Sequence, residues 1–281
     1  MDEKRARITR PEIRIALSVL LGLVMFLCWN ITAPADSSTA VWPELRAATT
    51  SSGNLLVDGS GAADGYFYAA CATATNHRLK MRVVKDGTTL TYDLNQNREY
   101  ELFPLQLGDG YYEVTLYENV SGKKYAQKGA VGLWVTLNRQ DAAFLVPSQY
   151  LAYTKESGAV IESDSLCAGM SEKEAYDAIC RYMSTSFVYD FIKAINIKPG
   201  MLPDIDGSWE KRMGVCQDLA AITVAMMRTQ GIPSKLVIGY ADKQYHAWTT
   251  ATVNGKEVFF DPTAALSAIS NVKNYSMERY Y

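Results

Sequence analysis

The spacing of apolar residues changes about halfway along the chain. Over residues 54–147, short runs of β-branched and aromatic residues recur about every ten residues, and several alternate with polar residues. Turn-forming pairs such as Asp86-Gly87 and Ser121-Gly122 separate the runs. Alternation with a period of two is typical of half-buried strands. The pattern predicts an all-β, immunoglobulin-like sandwich of about seven strands over residues 54–147.

After residue 148 the apolar residues follow a helical period. Ser171 and Glu174 form the pattern of a capping box, which predicts the start of one helix. Another helix is predicted from Cys216 until Gly231 ends it, and its apolar residues cover every face. A helix that is apolar on all sides is expected to be buried.

Three strands are predicted after this helix, and their register brings two polar residues together. The strands are Lys235–Tyr240, His246–Val253 and Lys256–Asp261. Asn254-Gly255, between the last two, is a strong signal for a two-residue hairpin turn. With that turn Trp248 faces Asp261, and His246 projects from the same face as Trp248. His246 and Asp261 are therefore predicted to be diagonal neighbours.

Cys216 has the setting of a nucleophile. The amino end of a helix stabilises a thiolate through its free N–H groups and dipole. The chain has two histidines, and His77 falls in a polar turn of the sandwich. His246, oriented by Asp261, is the candidate base. The three residues predict a nucleophile–base–orienter triad, whereas the other cysteines are interpreted as small core residues.

Four short stretches carry a resemblance to a known family. They are GVCQDLA, GIPSKLVIGY, HAW and NGKEVFFDPT, in this order. Together they resemble the core of the transglutaminase-like superfamily over roughly residues 170–281. The resemblance implies a papain-like fold, in which a helix with the cysteine packs on an antiparallel sheet. It also implies that Cys216, His246 and Asp261 are catalytic. Many relatives carry a tryptophan where this chain has Val258-Phe259-Phe260.

The predicted architecture is therefore α+β, with a transglutaminase-like catalytic domain at residues 148–281 after the sandwich. Three aromatic residues are candidates for substrate binding: Trp248, Tyr240 and Trp209. Trp248 shares the face of His246, and Tyr240, like Tyr245, flanks the loop before it. Trp209 follows a predicted loop, residues 199–208, ahead of the cysteine helix. Ordinary packing or surface roles are the alternatives for all of them.

The N-terminus has the pattern of a secretory signal. A basic stretch precedes the uncharged apolar run at residues 15–29, and Ala33-Pro34-Ala35 follows. The run is shorter than the about 20 residues of a spanning helix, which favours a cleaved signal over a retained membrane anchor. Residues 1–35 are thus predicted to be a signal peptide or anchor, and residues 36–53 a Ser/Thr-rich spacer. The body is expected to be secreted or to face the outside of a membrane.

Charge and cysteine content exclude some classes of protein. A net charge of −2 argues against nucleic acid as a partner. The chain has no CxxC pair or histidine cluster, so neither a metal nor another cofactor is expected. Cys167 and Cys180 are the only close cysteine pair, and their spacing leaves a disulfide open.

The expected function is acyl transfer from amide bonds of a protein or peptide at the cell surface or wall. Transfer to water would make a peptidase or amidase, and transfer to an amine would make a cross-linking transglutaminase; the sequence leaves both open. The alternatives are a non-catalytic surface-binding or scaffold protein that uses the sandwich, or a structural assembly protein.

Overall fold

The computed structural model describes residues 40–46, 49–198, 200–266 and 272–281, and both predicted domains fall within one compact unit. The first domain contains β1 (Thr49–Ser52), β2 (Leu55–Asp58), β3 (Tyr66–Cys71), β4 (Leu79–Lys85), β5 (Thr88–Leu94), β6 (Glu101–Pro104), β7 (Gly110–Ser121) and β8 (Lys124–Val135). Two short 3-10 helices, Ala62–Asp64 and Ala142–Phe144, accompany these strands.

The second domain mixes helices and strands, so the described fold is α+β. Its helices are α1 (Gly158–Leu166), α2 (Glu172–Thr185), α3 (Phe191–Asn196), α4 (Ile205–Lys211), α5 (Cys216–Thr229) and α6 (Pro262–Ala265). Its strands are β9 (Val188–Tyr189), β10 (Met213–Gly214), β11 (Ser234–Ala241), β12 (Gln244–Val253), β13 (Lys256–Phe260) and β14 (Tyr275–Tyr280).

Two antiparallel sheets of the first domain share one core. Their strand orders are β1-β2-β3-β6 and β5-β4-β7-β8. Leu55 and Phe67 of one sheet join Met81 and Val114 of the other in a single buried cluster. In the lettering of immunoglobulin domains, β2, β3 and β6 correspond to strands A, B and E. The second sheet, β5-β4-β7-β8, then corresponds to C′-C-F-G, which is an immunoglobulin-like order. The arrangement fits the sandwich predicted over residues 54–147.

Tyr112, near the start of β7, supports this topology. Its buried hydroxyl lies 2.7 Å from the carbonyl oxygen of Gly108 and 3.2 Å from that of Leu105. It also accepts a hydrogen bond from the N–H of Leu107 at 3.0 Å. This resembles the tyrosine corner of immunoglobulin-like sandwiches, in which a tyrosine hydroxyl ties the loop before its strand to the strand itself.

The predicted spacer is shorter than expected. Thr49–Ser52 pairs with β2 as an edge strand, and the Arg46 N–H donates to the Asp58 carboxylate at 2.8 Å. Trp42 packs against the second domain, with its ring 6.1 Å from that of Tyr153. Serine and threonine content therefore did not indicate a spacer here, because β-branched threonine also suits a strand. The predicted signal peptide or anchor, residues 1–35, lies outside the described residues.

Helix α5 forms the centre of the second domain. Every residue from Asp218 to Thr229 is buried, as the apolar pattern predicts. The antiparallel sheet β13-β12-β11-β14 packs on α5, and α1, α2, α4 and α6 also contact it. The hairpin register is the predicted one, since Val253 pairs with Lys256. No helix in the described part of the chain is long and apolar enough to cross a membrane.

Two elements of this domain differ from the prediction. Part of the predicted loop over residues 199–208 belongs to α4, whose first turn is capped because the Asp204 carboxylate accepts from the Gly207 N–H at 3.0 Å. Strand β14 was not predicted. It lies beside β11 at the edge of the sheet, and most of its side chains are exposed, so it lacks an apolar alternation.

Arg228 joins the end of α5 to three other segments. Its guanidinium is buried and donates to the backbone oxygens of Ser234, Val146 and Tyr281. Burial lowers the pKa of this side chain to about 10. Val146 lies in the linker between the two domains, and Tyr281 follows the edge strand β14. This one side chain therefore ties that linker to the sheet of the second domain.

Replacement of Arg228 should destabilise the whole second domain. Arg228→Met removes this donor from the buried backbone oxygens of Ser234 and Val146. We expect the free energy of unfolding to fall by about 3 kcal/mol or more. Urea denaturation followed by circular dichroism measures the change. Arg181→Met, at an exposed position of α2, is the matched control. Equal stability of the two variants would contradict the role of Arg228.

Candidate active site

The three residues of the predicted triad lie together at one cleft. Cys216 is the first residue of α5, His246 lies in β12, and Asp261 follows β13. Cys216 and His246 both line a cleft of about 420 Å³. The imidazole Nε2 of His246 lies 2.9 Å from Oδ2 of Asp261. The hairpin thus brings the histidine and the aspartate together as the register predicts.

The carboxylate of Asp261 is held at both oxygens. Oδ2 accepts from His246 and from the hydroxyl of Tyr275 at 2.7 Å, while Oδ1 accepts from the N–H groups of Thr263 and Ala264 at 2.9 and 3.1 Å. Burial alone would raise the pKa of Asp261, but the hydrogen bond from His246, its charge and the other donors hold the pKa below its usual value. The side chain therefore stays ionised and rigidly placed.

His246 is buried between this carboxylate and the cysteine. Burial alone would lower the pKa of the imidazole, but the hydrogen bond to Asp261 and interactions with the Cys216 side chain raise it to about 9. Because Nε2 is used by Asp261, Nδ1 is the ring nitrogen left for the sulfur. Trp248 lies nearly parallel to the imidazole, with centroids 6.3 Å apart, and limits its rotation. Asp261 and Trp248 therefore hold the imidazole in one orientation beside Cys216.

The position of Cys216 depends on a buried acid in the first turn of α5. Asp218 is fully buried and accepts from the N–H groups of Val215 and Asp204 at 3.0 and 2.9 Å. Its carboxylate also pairs with the Lys193 ammonium at 2.7 Å. Asp218 thus connects α3, the start of α4 and the start of α5 around the cysteine.

Gly214 is required for the same close packing. A Cβ atom at this position would lie 2.9 Å from the Cβ of Asp218 and 3.3 Å from the side chain of Ser208. The chain therefore approaches the start of α5 more closely than a larger residue allows. Since the Val215 N–H is used by Asp218, the N–H of Cys216 is the candidate donor to an oxyanion.

The predicted substrate-binding aromatics have different environments. Trp209 is buried, stacks on Tyr182 with centroids 5.9 Å apart and carries the Arg212 guanidinium over its ring. Trp209 is not among the described lining residues of the cleft, and these contacts agree with the packing alternative. Trp248 is also buried and supports His246. Tyr240 is exposed with its ring 5.5 Å from that of Tyr245, and Tyr245 lines the cleft.

Sequence reasoning missed Tyr275 and Arg279, which both lie on β14. Tyr275 completes the hydrogen bonding of Asp261, and Arg279 lines the cleft. Neither belongs to a recognised motif, and their strand was itself not predicted. Their proximity to the site arises only from the pairing of β14 with β11.

In the part of the chain that the structure describes, the other cysteines are not disulfide-bonded. Cys167 and Cys180 are free thiols, and burial raises their pKa to about 11 and about 12. A high pKa makes a thiol a poor nucleophile at neutral pH. Among the described residues, no group of three or more His, Cys, Asp or Glu side chains could hold a metal ion.

Comparison with protein families identifies the part of the chain that carries the site. Residues 164–262 match the family model of the transglutaminase-like superfamily, and this stretch contains Cys216, His246 and Asp261. This stretch is therefore similar to the transglutaminase-like superfamily. No curated protein matches the sequence.

Several solved structures are distantly similar. A candidate cysteine protease from Cytophaga hutchinsonii is 15% identical, with a TM-score of 0.38, over 83% of this chain and 85% of the other. The periplasmic domain of TgpA from Pseudomonas aeruginosa, bound to ethylmercury, is 14% identical, with a TM-score of 0.36, over 78% and 76%. A candidate protease from Parabacteroides distasonis is 13% identical, with a TM-score of 0.32, over 73% and 62%. Such low scores carry no conclusion about activity.

The raised pKa of His246 should be visible by NMR. The imidazole signals of His246 should titrate near pH 9 in the native protein, and at lower pH in Cys216→Ala, which removes the contribution of the sulfur. His77 gives the second histidine signal, and His77→Gln assigns it. A titration of His246 that is unchanged in Cys216→Ala would contradict contact between the two side chains.

The same pKa predicts how stability changes with pH. The folded state favours protonated His246, so its contribution is complete below the unfolded pKa of about 6.5 and is lost as pH rises through about 9. Urea denaturation should therefore show a decline in stability over this window. The decline should be weaker in His246→Gln.

Tyr275→Phe should hold His246 less firmly while leaving Cys216, His246 and Asp261 in place. The change removes a donor from a buried carboxylate, and we expect a loss of about 1–3 kcal/mol in unfolding free energy. We also expect a shift in the NMR titration of His246, because Asp261 loses a partner. Tyr240→Phe, at an exposed position, is the control. If both variants behave as the native protein does, the Tyr275 hydrogen bond has no functional role.

Proposed function

Because residues 164–262 match the family model of the transglutaminase-like superfamily, we propose that the chain is a cysteine-dependent acyl-transfer enzyme that acts on amide bonds. Cys216 is the nucleophile, His246 the acid and base, and Asp261 the residue that orients His246. The observation that supports this most is the 2.9 Å hydrogen bond between His246 and Asp261 at the cleft that Cys216 lines.

The first half of the reaction forms a thioester. The Cys216 thiolate attacks the amide carbonyl carbon, and the carbonyl electron pair moves to oxygen, where the Cys216 N–H can donate to it. As the carbonyl reforms, the carbon–nitrogen bond breaks. The leaving amine takes a proton from the His246 imidazolium.

The second half releases the acyl group. Water or an amine attacks the thioester carbon and gives its proton to His246, and the carbon–sulfur bond breaks to restore the thiolate. Asp261 keeps Nε2 engaged throughout, so Nδ1 is the nitrogen that exchanges protons with sulfur and substrate. Water yields hydrolysis and a lysine-like amine yields a cross-link, and both acceptors fit this chemistry.

The proposal extends to the compartment and the substrate. The signal-like pattern at residues 1–35 favours a body that is secreted or tethered at the outer side of a membrane. The substrate is then a protein or peptide of the cell surface or wall. The sandwich of the first domain would bind or position that partner, while the triad acts on it.

Thiol labelling tests the nucleophile. We expect limiting iodoacetamide to add one label to the purified protein below about pH 7, about tenfold or more faster than to an ordinary thiol, because the imidazolium stabilises the thiolate. Intact mass and peptide mapping identify the site. The label should be lost in Cys216→Ala and should form slowly in His246→Ala, whereas Cys180→Ala is the matched control.

A different result would favour another function. If Cys216 reacts no faster than a thiol of pKa about 8.5, the free protein holds no activated nucleophile. A non-catalytic binding or scaffold protein would then explain the two domains better than an enzyme.

A further inference from the structure

The candidate active-site cleft is lined by two cations and by no carboxylate among its described lining residues. Lys198 lies in the loop after α3, and Arg279 lies in β14. In the described part of the chain neither of them forms an ion pair with Asp or Glu. Both side chains are exposed, and a cation that lacks an ionic partner in the protein attracts an anion.

Arg279 is placed by the sheet close to the reacting groups. It pairs across the sheet with Ile238, and Ile238 pairs with Ala247, the residue after His246. Ile238 and Ala247 also line the cleft. Arg279 thus lies in the same cross-strand row as Ala247, which directly follows His246 in sequence.

The guanidinium of Arg279 is held in place but not saturated. One of its NH2 groups donates to the hydroxyl of Tyr245 at 2.6 Å, and Tyr245 also lines the cleft. An arginine has five N–H donors in a planar fork, which matches the two oxygens of a carboxylate. The Tyr245 hydrogen bond fixes the side chain and leaves other donors for a ligand.

We propose that the cleft selects acyl donors that carry a carboxylate beside the attacked amide, with Arg279 as the residue that binds it. Lys198 contributes positive charge from the loop. This inference rests on the proposed function, since it names the substrate class of the same site. The carboxylate comes either from an acidic side chain or from the end of a peptide chain.

A pair of alkylating reagents separates charge selection from thiol activation. Iodoacetate is anionic and iodoacetamide is neutral, and both react with the same sulfur. The ratio of their rates at Cys216, measured at low ionic strength, therefore cancels differences in thiolate reactivity. We expect Arg279→Gln to lower the iodoacetate-to-iodoacetamide ratio about threefold to tenfold, and Lys198→Gln to lower it less.

The controls make the outcome specific. Lys256→Gln removes the same charge at an exposed position in the hairpin turn, and it should leave the ratio unchanged. Arg279→Lys keeps the charge and should retain most of the ratio. A ratio in Arg279→Gln equal to that of the native protein overturns the proposal. Slow labelling by both reagents, with a ratio that still falls in Arg279→Gln, would instead overturn the proposed nucleophile and leave the anion site standing.

Protection by peptides identifies the source of the carboxylate. The probes are N-acetyl-Gly-Glu-Gly-amide, N-acetyl-Gly-Gly-Gly with a free carboxyl end, and neutral N-acetyl-Gly-Gln-Gly-amide. We expect one or both acidic peptides to slow iodoacetamide labelling of Cys216 severalfold more than the neutral peptide, and this difference to vanish in Arg279→Gln. Protection by the first indicates a side chain, and by the second a chain end. Equal protection by all three overturns the proposal.

Discussion

Complete burial of α5 is the constraint on which the rest of the second domain depends. Its residues from Asp218 to Thr229 have no exposed face, so the sheet and four helices must surround it. The first turn is the only part that reaches a cleft, and Cys216 stands there. The proposed nucleophile is thus fixed by the packing of a whole helix, and the open helix end supplies its polar environment.

Two buried charges hold the ends of this helix. Asp218 connects its start to the segments before it through two backbone N–H groups and Lys193. Arg228 connects its end to the interdomain linker, to β11 and to the end of β14. Removing either partner would leave charged or polar groups buried without compensation, which is costly. The helix therefore cannot shift along its axis without breaking one of these networks.

The edge strand β14 joins the candidate active site to the sandwich. Tyr275 and Arg279 reach the site from this strand, while its Tyr280 meets the first domain. Gln106 donates to the Tyr280 carbonyl at 3.2 Å, and the Phe144 ring lies 5.8 Å from the Tyr280 ring. A strand that lacks an apolar alternation is thus supported by contacts from outside its own sheet, and the first domain contributes to the geometry of the site.

Local patterns were sufficient to predict the strands of the sandwich, the helix that begins at Cys216 and the Asn254-Gly255 hairpin, because each of these depends on residues that are neighbours in sequence. The same hairpin register predicted that His246 and Asp261 lie together, since side chains alternate along paired strands. Trp209 shows the limit of such reasoning. Its aromatic character suited a substrate cleft equally well, and only its stacking on Tyr182 placed it in the core.

The sequence by itself determined the buried helix that begins at Cys216, the hairpin that follows it, and the pairing of His246 with Asp261. Only the tertiary structure decided that Tyr275 completes the Asp261 network and that Arg279 lines the cleft. Tyr275 lies 14 positions from Asp261, and Arg279 lies 34 positions from its partner Tyr245. Both belong to a strand whose pairing depends on long-range contacts rather than local pattern. The periodicity of apolar residues indicates which face of a segment is buried, but it does not indicate which distant segment lies beside that face.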